Sequence, residues 1–407
     1  PDNIEKRTTR AALPNGMKYA LLPKKTRGES VNVTMTFPFG TLQSLQGKST
    51  IADFTGAMLS KGTTKRTLAE LKDEQDRLKA RVMVSGGAEG AFVNIETDRA
   101  HLAEAIRLAG EMLRMPSFPQ DEFDKYKKQY LTGIDEQKTD PNALAANTFA
   151  RISSPEYPAG DPRRVLTFEE EAAAVQAVTL DQAKDFYKKF YGASDATCAV
   201  VGDFDKAEIE KALRETFGDW KSPAKYERIA EDYKPVPLRN ESILTPDKSN
   251  AVYMAGYGFP MRNDDPEYPA LVVGGQIIGG GFLNSRLATR IRQKDGLSYT
   301  VNGSFSASPR DKDGSFSAFM IYNPENLAKL ETAFREEIER ASREGFTAEE
   351  LEAAKGGWLK SRRVGRANDA GLARTLNSYL AYGRDLNWDA QLEKQVEALT
   401  LSQLNAT

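Results

Sequence analysis

The chain has 407 residues, 40% of them hydrophobic, enough for two or more domains with cores of their own. A formal net charge of −2, with no basic cluster, gives no electrostatic case for binding nucleic acid or an anionic membrane surface. No apolar run approaches the roughly 18 residues of a spanning helix, and a single cysteine, Cys198 in the mostly apolar run 196–201, excludes an internal disulfide and CxxC chemistry.

The chain starts at Pro1 rather than Met, for which a removed leader peptide or an artificial boundary would account. Asn15-Gly16 is a two-residue hairpin signal leading into a strand at 17–23. Residues 30–37 alternate Val31, Val33, Met35 and Phe37 on one face of a strand. Residues 49–60 read as a helix, 68–78 as a charged amphipathic helix, and 81–97 as a hairpin with Gly86-Gly87-Ala88-Glu89-Gly90 near its turn. His101, the only histidine, opens a helix ending near 114 and reads as an ordinary polar residue of a first helical turn. Helices at 122–136, 142–152 and 179–191, a buried strand at 196–202 and a helix at 205–216 complete this half. From about 220 to 248, Pro223, Pro235, Pro237 and Pro246 break any regular pattern, as in an extended linker.

The remainder repeats the first half. Residues 250–258 read as a strand and 266–278 as a helix. Asn323-Pro-Glu-Asn326-Leu327 opens a helix as Asp98-Arg-Ala-His101-Leu102 does, Phe346–Glu350 parallels Phe118–Glu122, and Leu399–Gln403 parallels Val178–Gln182. Three matches in the same order indicate a degenerate duplication. The first half continued past this point to a strand and another helix, so a truncated C-terminal end is expected. Leu297–Ser308 and Ser315–Tyr322 flank the turn 311–314 and form a hairpin. Just before it, 285–299 reads as the end of a helix. Arg286, Arg290 and Arg292 sit at the negative end of its dipole, Gly296 is a left-handed cap, and Leu297, Tyr299 and Val301 alternate on one strand face. Arg292 and Tyr299 thus flank a sharp corner from which both could face a common site. On spacing alone the plainer reading is the stronger: Arg292 complements the dipole and Tyr299 is a half-buried strand residue.

Gly279-Gly280-Gly281-Phe-Leu-Asn-Ser285-Arg286-Leu287, then Arg292, then Gly296-Leu297-x-Tyr299, resembles the C-terminal half of the pitrilysin/insulinase-like zinc peptidases (inverzincins), a family related to the mitochondrial processing peptidase. In that family the Arg and Tyr hold the peptide carbonyl at a zinc centre carried by the other half. The zinc motif H-x-x-E-H lies there within a pattern similar to H-F-L-E-H-M-L-F-K-G-T. Here 53–63 keeps Phe54, Met58, Leu59, Lys61, Gly62 and Thr63 in register, but Asp53 stands at the first His, Gly56 at the Glu and Ala57 at the second His. The third ligand, a Glu in a pattern like E-E-I-x-x-x-x-D-x-P, falls on Thr132-Gly133, so Gly133 replaces it. Independently of any alignment, one histidine cannot supply two imidazoles one helical turn apart. The resemblance also implies substrate binding at Gly279, Gly280 and Gly281, and at an open edge strand containing Gly86, Gly87 and Ala88, where small side chains permit backbone pairing. A plain Gly-rich hairpin turn fits 86–90 equally well. A nucleotide loop does not fit 279–281, which follow a helix rather than a strand.

With the duplication, the resemblance implies an α+β fold. Two homologous pseudo-repeat halves, 1–219 and 249–407, each a mainly antiparallel sheet with helices packed on it, are joined by the linker 220–248 into a clamshell that could hinge there. It further implies a chain with no metal of its own, uncertain as an enzyme alone, acting as the zinc-less subunit of a heterodimeric zinc metallopeptidase. A homologous subunit carrying H-x-x-E-H would bring Zn2+, peptides would be the substrates, and Arg292 and Tyr299 would bind substrate and stabilise the oxyanion. The alternative is a non-enzymatic scaffold or peptide-binding subunit of the same fold. A self-sufficient enzyme lacks support, since no Ser/His/Asp or Cys/His arrangement is available beyond one His and one Cys. The expected location is the periplasm, with the mitochondrial matrix as alternative.

Overall fold

The computed structural model describes residues 1–281 and 284–407; Phe282 and Leu283, inside the Gly-rich motif, lie outside the described residues. Helix α1 (Asp2–Arg7) precedes β1 (Thr9–Ala12) and β2 (Lys18–Pro23), whose connecting turn holds Gly16 at a φ of 103° that favours glycine. β3 (Ser30–Pro38), α2 (Ser49–Met58), α3 (Leu68–Arg77), β4 (Arg81–Gly87) and β5 (Gly90–Asp98) follow. Then come α4 (Leu102–Arg114), α5 (Gln120–Gln137), α6 (Pro141–Ser153), α7 (Phe168–Ala177), α8 (Leu180–Phe190), β6 (Thr197–Gly202) and α9 (Lys206–Phe217). The second half contains β7 (Ala251–Phe259), α10 (Tyr268–Gly275), β8 (Ser298–Ala307) and β9 (Gly314–Tyr322). It closes with α11 (Leu327–Glu344), α12 (Ala348–Gly365), α13 (Asp369–Tyr382), α14 (Leu386–Ala398) and α15 (Leu401–Ala406). Among the described residues no helix is long and apolar enough to cross a membrane.

The fold is mixed α+β. The first sheet has the order β1-β2-β6-β3-β5-β4, antiparallel throughout except for the parallel pair β2–β6. Its second counterpart, β7-β9-β8, is antiparallel and repeats the order β3-β5-β4. The repeat extends to helix starts: Thr179 caps α8 and Thr400 caps α15, each bonded reciprocally to a glutamine at the third helical position. Alternation in β3 sends Val31, Val33, Met35 and Phe37 into a core with α4, α8 and α9, as the sequence pattern predicts.

The opposite face of the first sheet is covered from the other half of the chain. Ala20, Leu22, Ala199 and Val201 are fully buried against Leu372, Ala373, Leu376 and Tyr379 of α13. The Asn377 amide donates to the Thr36 hydroxyl at 2.9 Å, and Lys24 pairs with Asp369 at 2.6 Å. The contact is reciprocated, for α6 of the first half lies on β7, where a Cβ on Gly256 would come within 2.9 Å of the Phe149 ring. Each half therefore lends a helix to the face of the other's sheet that its own helices leave open.

The segment after α9 has no regular structure, and Leu238 and Leu244 are exposed. Part of it is nonetheless held by both halves. On one side the Glu227 N–H donates to the Gly40 carbonyl at 2.9 Å and Arg163 donates to the Ala230 carbonyl at 2.9 Å. On the other, Arg228 makes a two-pronged pair with Asp311, both contacts 2.7 Å, which holds the Asp311 carboxyl below its usual range. A free hinge at the linker is incompatible with this clasp and with the exchanged helices.

Leu376→Ala is expected to cost about 2–5 kcal/mol, because the side chain is fully buried between the halves. Urea unfolding followed by circular dichroism should show one transition moved to lower urea. A transition that splits, with the first half unaffected, would mean that the halves stand independently.

Candidate functional site

Two corners carry the residues singled out from the sequence. In the second half, α10 runs on as a π-helical turn at Gln276–Gly280, and a second π-helical segment spans Ala288–Lys294. Wider turns of this kind cluster at functional positions. Gly296 has the left-handed φ of 62° expected of a cap, and the Leu297 N–H donates back to the Ile291 carbonyl at 2.9 Å. The three arginines differ in surroundings. Arg286 pairs with Glu350 at 2.7 Å, and Arg290 pairs with Asp295 at 2.7 Å and Glu336 at 2.9 Å. Arg292 is half-buried and has no carboxylate partner among the described residues.

Tyr299 departs from the sequence reading. Ser298 pairs with Tyr322 but Thr300 pairs with Ile321, so Tyr299 is the extra residue of a β-bulge. The Ser298 hydroxyl lies 2.7 Å from the Thr300 carbonyl and 2.6 Å from that of Ile321, fixing the bulge. Tyr299 therefore leaves the face that the sequence pattern assigns it: Leu297 is buried and Val301 packs against the same core, whereas Tyr299 is 88% exposed. Gly279, Gly280 and Gly281 divide similarly. A Cβ on Gly279 would run into the backbone of Gly303 on β8, so Gly279 serves helix–strand packing, while Gly280 is exposed and Gly281 half-buried.

In the first half the same contact recurs between α2 and β4. A Cβ on Gly56 would run into the Gly86 backbone, and one on Gly86 would fall 2.7 Å from the Gly56 Cα and 2.8 Å from the Tyr191 hydroxyl. The position of the expected glutamate is thus filled by a neighbouring backbone. Asp53 is half-buried, and burial together with the charge of Glu171 pushes its carboxyl up to about 6. Ala57 is half-buried beside it on α2, and Gly133 on α5 has open space around it. These positions offer one carboxylate and no imidazole, a donor set that does not fit zinc. Among the described residues no group of three or more His, Cys, Asp or Glu could hold a metal ion. β4 is a terminal strand of its sheet, and along it the Val82 N–H is taken by the Gln75 side chain at 2.8 Å. Gly86 and Gly87 form its end, and Ala88 lies in the turn.

Glu171, Tyr126, Tyr130 and Tyr191 join Asp53 at this corner, and none of them was singled out from the sequence. Glu171 belongs to α7, a helix that sequence reading left out although Thr167 and Glu170 form its capping box. His101 stands at the N-cap of α4 with Nδ1 2.6 Å from Asp98, remote in role from either corner. A cavity of about 500 Å3 lies elsewhere, between α4 and α9, and its arginines are matched: Arg66 with Glu111, Arg107 with Glu215, Arg114 with Asp219.

Residues 177–357 match the family described as the peptidase M16 inactive domain. The non-peptidase homolog YmxG of Helicobacter pylori is 24% identical over 324 residues, covering 79% of this chain and 72% of that protein. An uncharacterized zinc protease of Rickettsia bellii is 25% identical over 334 residues, 80% of this chain and 76% of that protein. In fold, the chain superposes on the peptidase M16 inactive domain from Pseudomonas fluorescens with a TM-score of 0.80 at 22% identity, covering 98% of this chain and 94% of that one. The resemblance to the pitrilysin/insulinase-like peptidases, in a form without zinc ligands, is borne out by these matches.

Gly56→Ala is expected to destabilise the fold by about 1–3 kcal/mol, since backbone rather than a flexible side chain occupies the space. Thermal unfolding that is unchanged would mean that α2 and β4 separate readily. Asp53 supplies a pH test. Its folded carboxyl holds the proton more tightly than the unfolded one, so its ionisation lowers stability as pH rises from about 4 to about 6, and the loss persists above. Asp53→Asn should flatten that part of the urea-unfolding profile and be more stable than the parent at pH 7. An unaltered profile would assign the pH dependence to other groups.

Proposed function

Taking as premise that this chain is a relative of the pitrilysin/insulinase-like peptidases lacking their zinc ligands, we propose that it is the non-zinc-binding subunit of a two-subunit zinc metallopeptidase. A homologous partner with H-x-x-E-H and the third Glu holds Zn2+, whose chemistry there is to polarise the scissile carbonyl and activate water. This chain contributes Arg292 and Tyr299, one charged and one neutral donor, to the oxygen that becomes the oxyanion. β4 receives the peptide by strand addition at Gly86, Gly87 and Ala88, in the periplasm.

The observation that carries this reading is one-sided loss. Where the family has its zinc site, Asp53, Ala57 and Gly133 replace every ligand, and Gly56, closed off by Gly86, replaces the glutamate of the motif. Where it has its Arg/Tyr pair, both residues are kept, Arg292 without a carboxylate partner and Tyr299 turned outward by a bulge. An unpaired guanidinium and an exposed phenol at one corner are otherwise costly or idle. The name non-peptidase homolog, given to a relative, agrees with a chain that does not hydrolyse peptides alone. A second reading, peptide binding without hydrolysis, is favoured by the terminal position of β4 and needs no partner.

Tyr299→Phe should lower turnover of the isolated complex by roughly 10²–10³-fold with zinc content unchanged. Metal analysis should find no zinc on this chain alone and about one per pair in the complex. Unaltered turnover would remove Tyr299 from the chemistry; absence of any H-x-x-E-H partner in material pulled down from the native cell would leave the peptide-binding reading.

A further inference from the structure

Asp53 is a half-buried carboxylate that receives no hydrogen bond and no cation among the described residues. The charge acting on it is another carboxylate, Glu171, which accepts a 2.7 Å bond from the Tyr130 hydroxyl. Tyr126 and Tyr130 form an aromatic wall beside them. Their ring centroids lie 5.8 Å apart, and they pack against Phe54 at 4.9 and 5.8 Å. A separate feature points into the same corner. Tyr191 is 3% exposed, its hydroxyl has no partner, and the charge of Asp53 acts on it. That hydroxyl lies against Gly86, and a Cβ on the next residue, Gly87, would meet only the Asp53 carboxylate, at 3.6 Å.

The corner also has room. Tyr126, Tyr130 and Gly133 fall on one face of α5, and the space at Gly133 is open. Two carboxylates, phenol oxygens and aromatic faces around an uncompensated negative charge suit an organic cation. A divalent metal would call for some six oxygen ligands, or a third strong ligand in a tighter set. The end of β4 borders this space, so a peptide paired along that edge would carry a side chain into it.

We propose that Asp53 and Glu171, walled by Tyr126 and Tyr130, bind the ammonium group of a peptide extended along the edge of β4. The cation comes from a lysine side chain or from the peptide's own amino terminus. The corner that no longer fits zinc thus reads a basic group instead. This rests on β4 as a peptide-binding edge, which both readings above share, and not on a partner subunit or on Arg292 and Tyr299.

The test uses the full chain alone, with fluorescence anisotropy of labelled, acetylated ten-residue peptides in an Ala/Thr/Val background. One carries a single lysine, one norleucine in its place, and one is lysine-free with a free amino terminus. Replacing lysine by norleucine should weaken binding by about 10–100-fold, the worth of a charge-assisted contact. Asp53→Asn and Glu171→Gln should each weaken the lysine peptide similarly and leave the norleucine peptide unchanged. Glu169→Gln, an exposed position on the same helix, should alter neither. Tight binding of the free-terminus peptide assigns the cation to the chain end; weak binding assigns it to lysine. Equal affinity for the lysine and norleucine peptides, with the free-terminus peptide binding no more tightly than either, overturns the proposal. So does loss of both peptides on Asp53→Asn, which would mark a merely structural residue, and so does no binding of any peptide. No arm measures turnover, so a failure of the peptidase reading leaves this result standing, and the reverse.

Discussion

The packing of α13 across a sheet built from the other end of the sequence is the contact on which the rest depends. A sheet has two faces, and α4, α8 and α9 cover only one of those on β2, β3 and β6. Without α13, the fully buried Ala20, Leu22, Ala199 and Val201 would face water. The reciprocal placement of α6 on β7 gives the second half the same dependence. Neither half is complete alone, and the two corners of interest hold their places because these exchanged helices tie one sheet to the other. Swinging the halves apart about the linker would have to break these buried contacts.

The duplication is also visible in atoms. Gly56 against Gly86 and Gly279 against Gly303 are the same device, a helix brought so close to a strand that a Cβ on its glycine would run into the strand's backbone. What differs is the use made of it. In the second half the strand that follows is bulged, and Tyr299 leaves the core. In the first half the strand stays regular, and the contact closes the space that a glutamate on α2 would occupy. Loss of that glutamate is therefore built into the backbone packing, beyond a change of side chain.

Much of this was legible in the sequence where the signal is local. The alternation Val31, Val33, Met35, Phe37, the Asn15-Gly16 turn, the cap at Thr179 and the left-handed Gly296 each follow from chemistry within a few residues. Absence of zinc ligands was legible too, because a single histidine settles it. Other features depend on distant partners. Leu297, Tyr299 and Val301 look like one strand face, yet the register is set by Tyr322 and Ile321, which force the bulge. α13 was not read from the sequence, and nothing within it names the sheet it covers. Asp53 appears in sequence only as a missing ligand; its company, Glu171 and Tyr191, is brought by α7 and the turn after α8.

The two corners carry opposite, uncompensated charge: a carboxylate at Asp53 and a guanidinium at Arg292. Several partly buried charges elsewhere are closely paired, as at Arg228–Asp311, Arg286–Glu350 and Arg366–Glu393. Leaving a half-buried ion without a partner costs free energy that the folded chain must supply from its packing. Such a cost is tolerable where a ligand offsets it, and a peptide offers both complements, backbone carbonyl oxygens and ammonium groups. On the proposed reading, the strand edge at β4 and the outward phenol of Tyr299 supply neutral contacts of the kind that fix an extended backbone without selecting its sequence. On the proposed peptide-binding reading, selection falls to the two charges, Asp53 and Arg292.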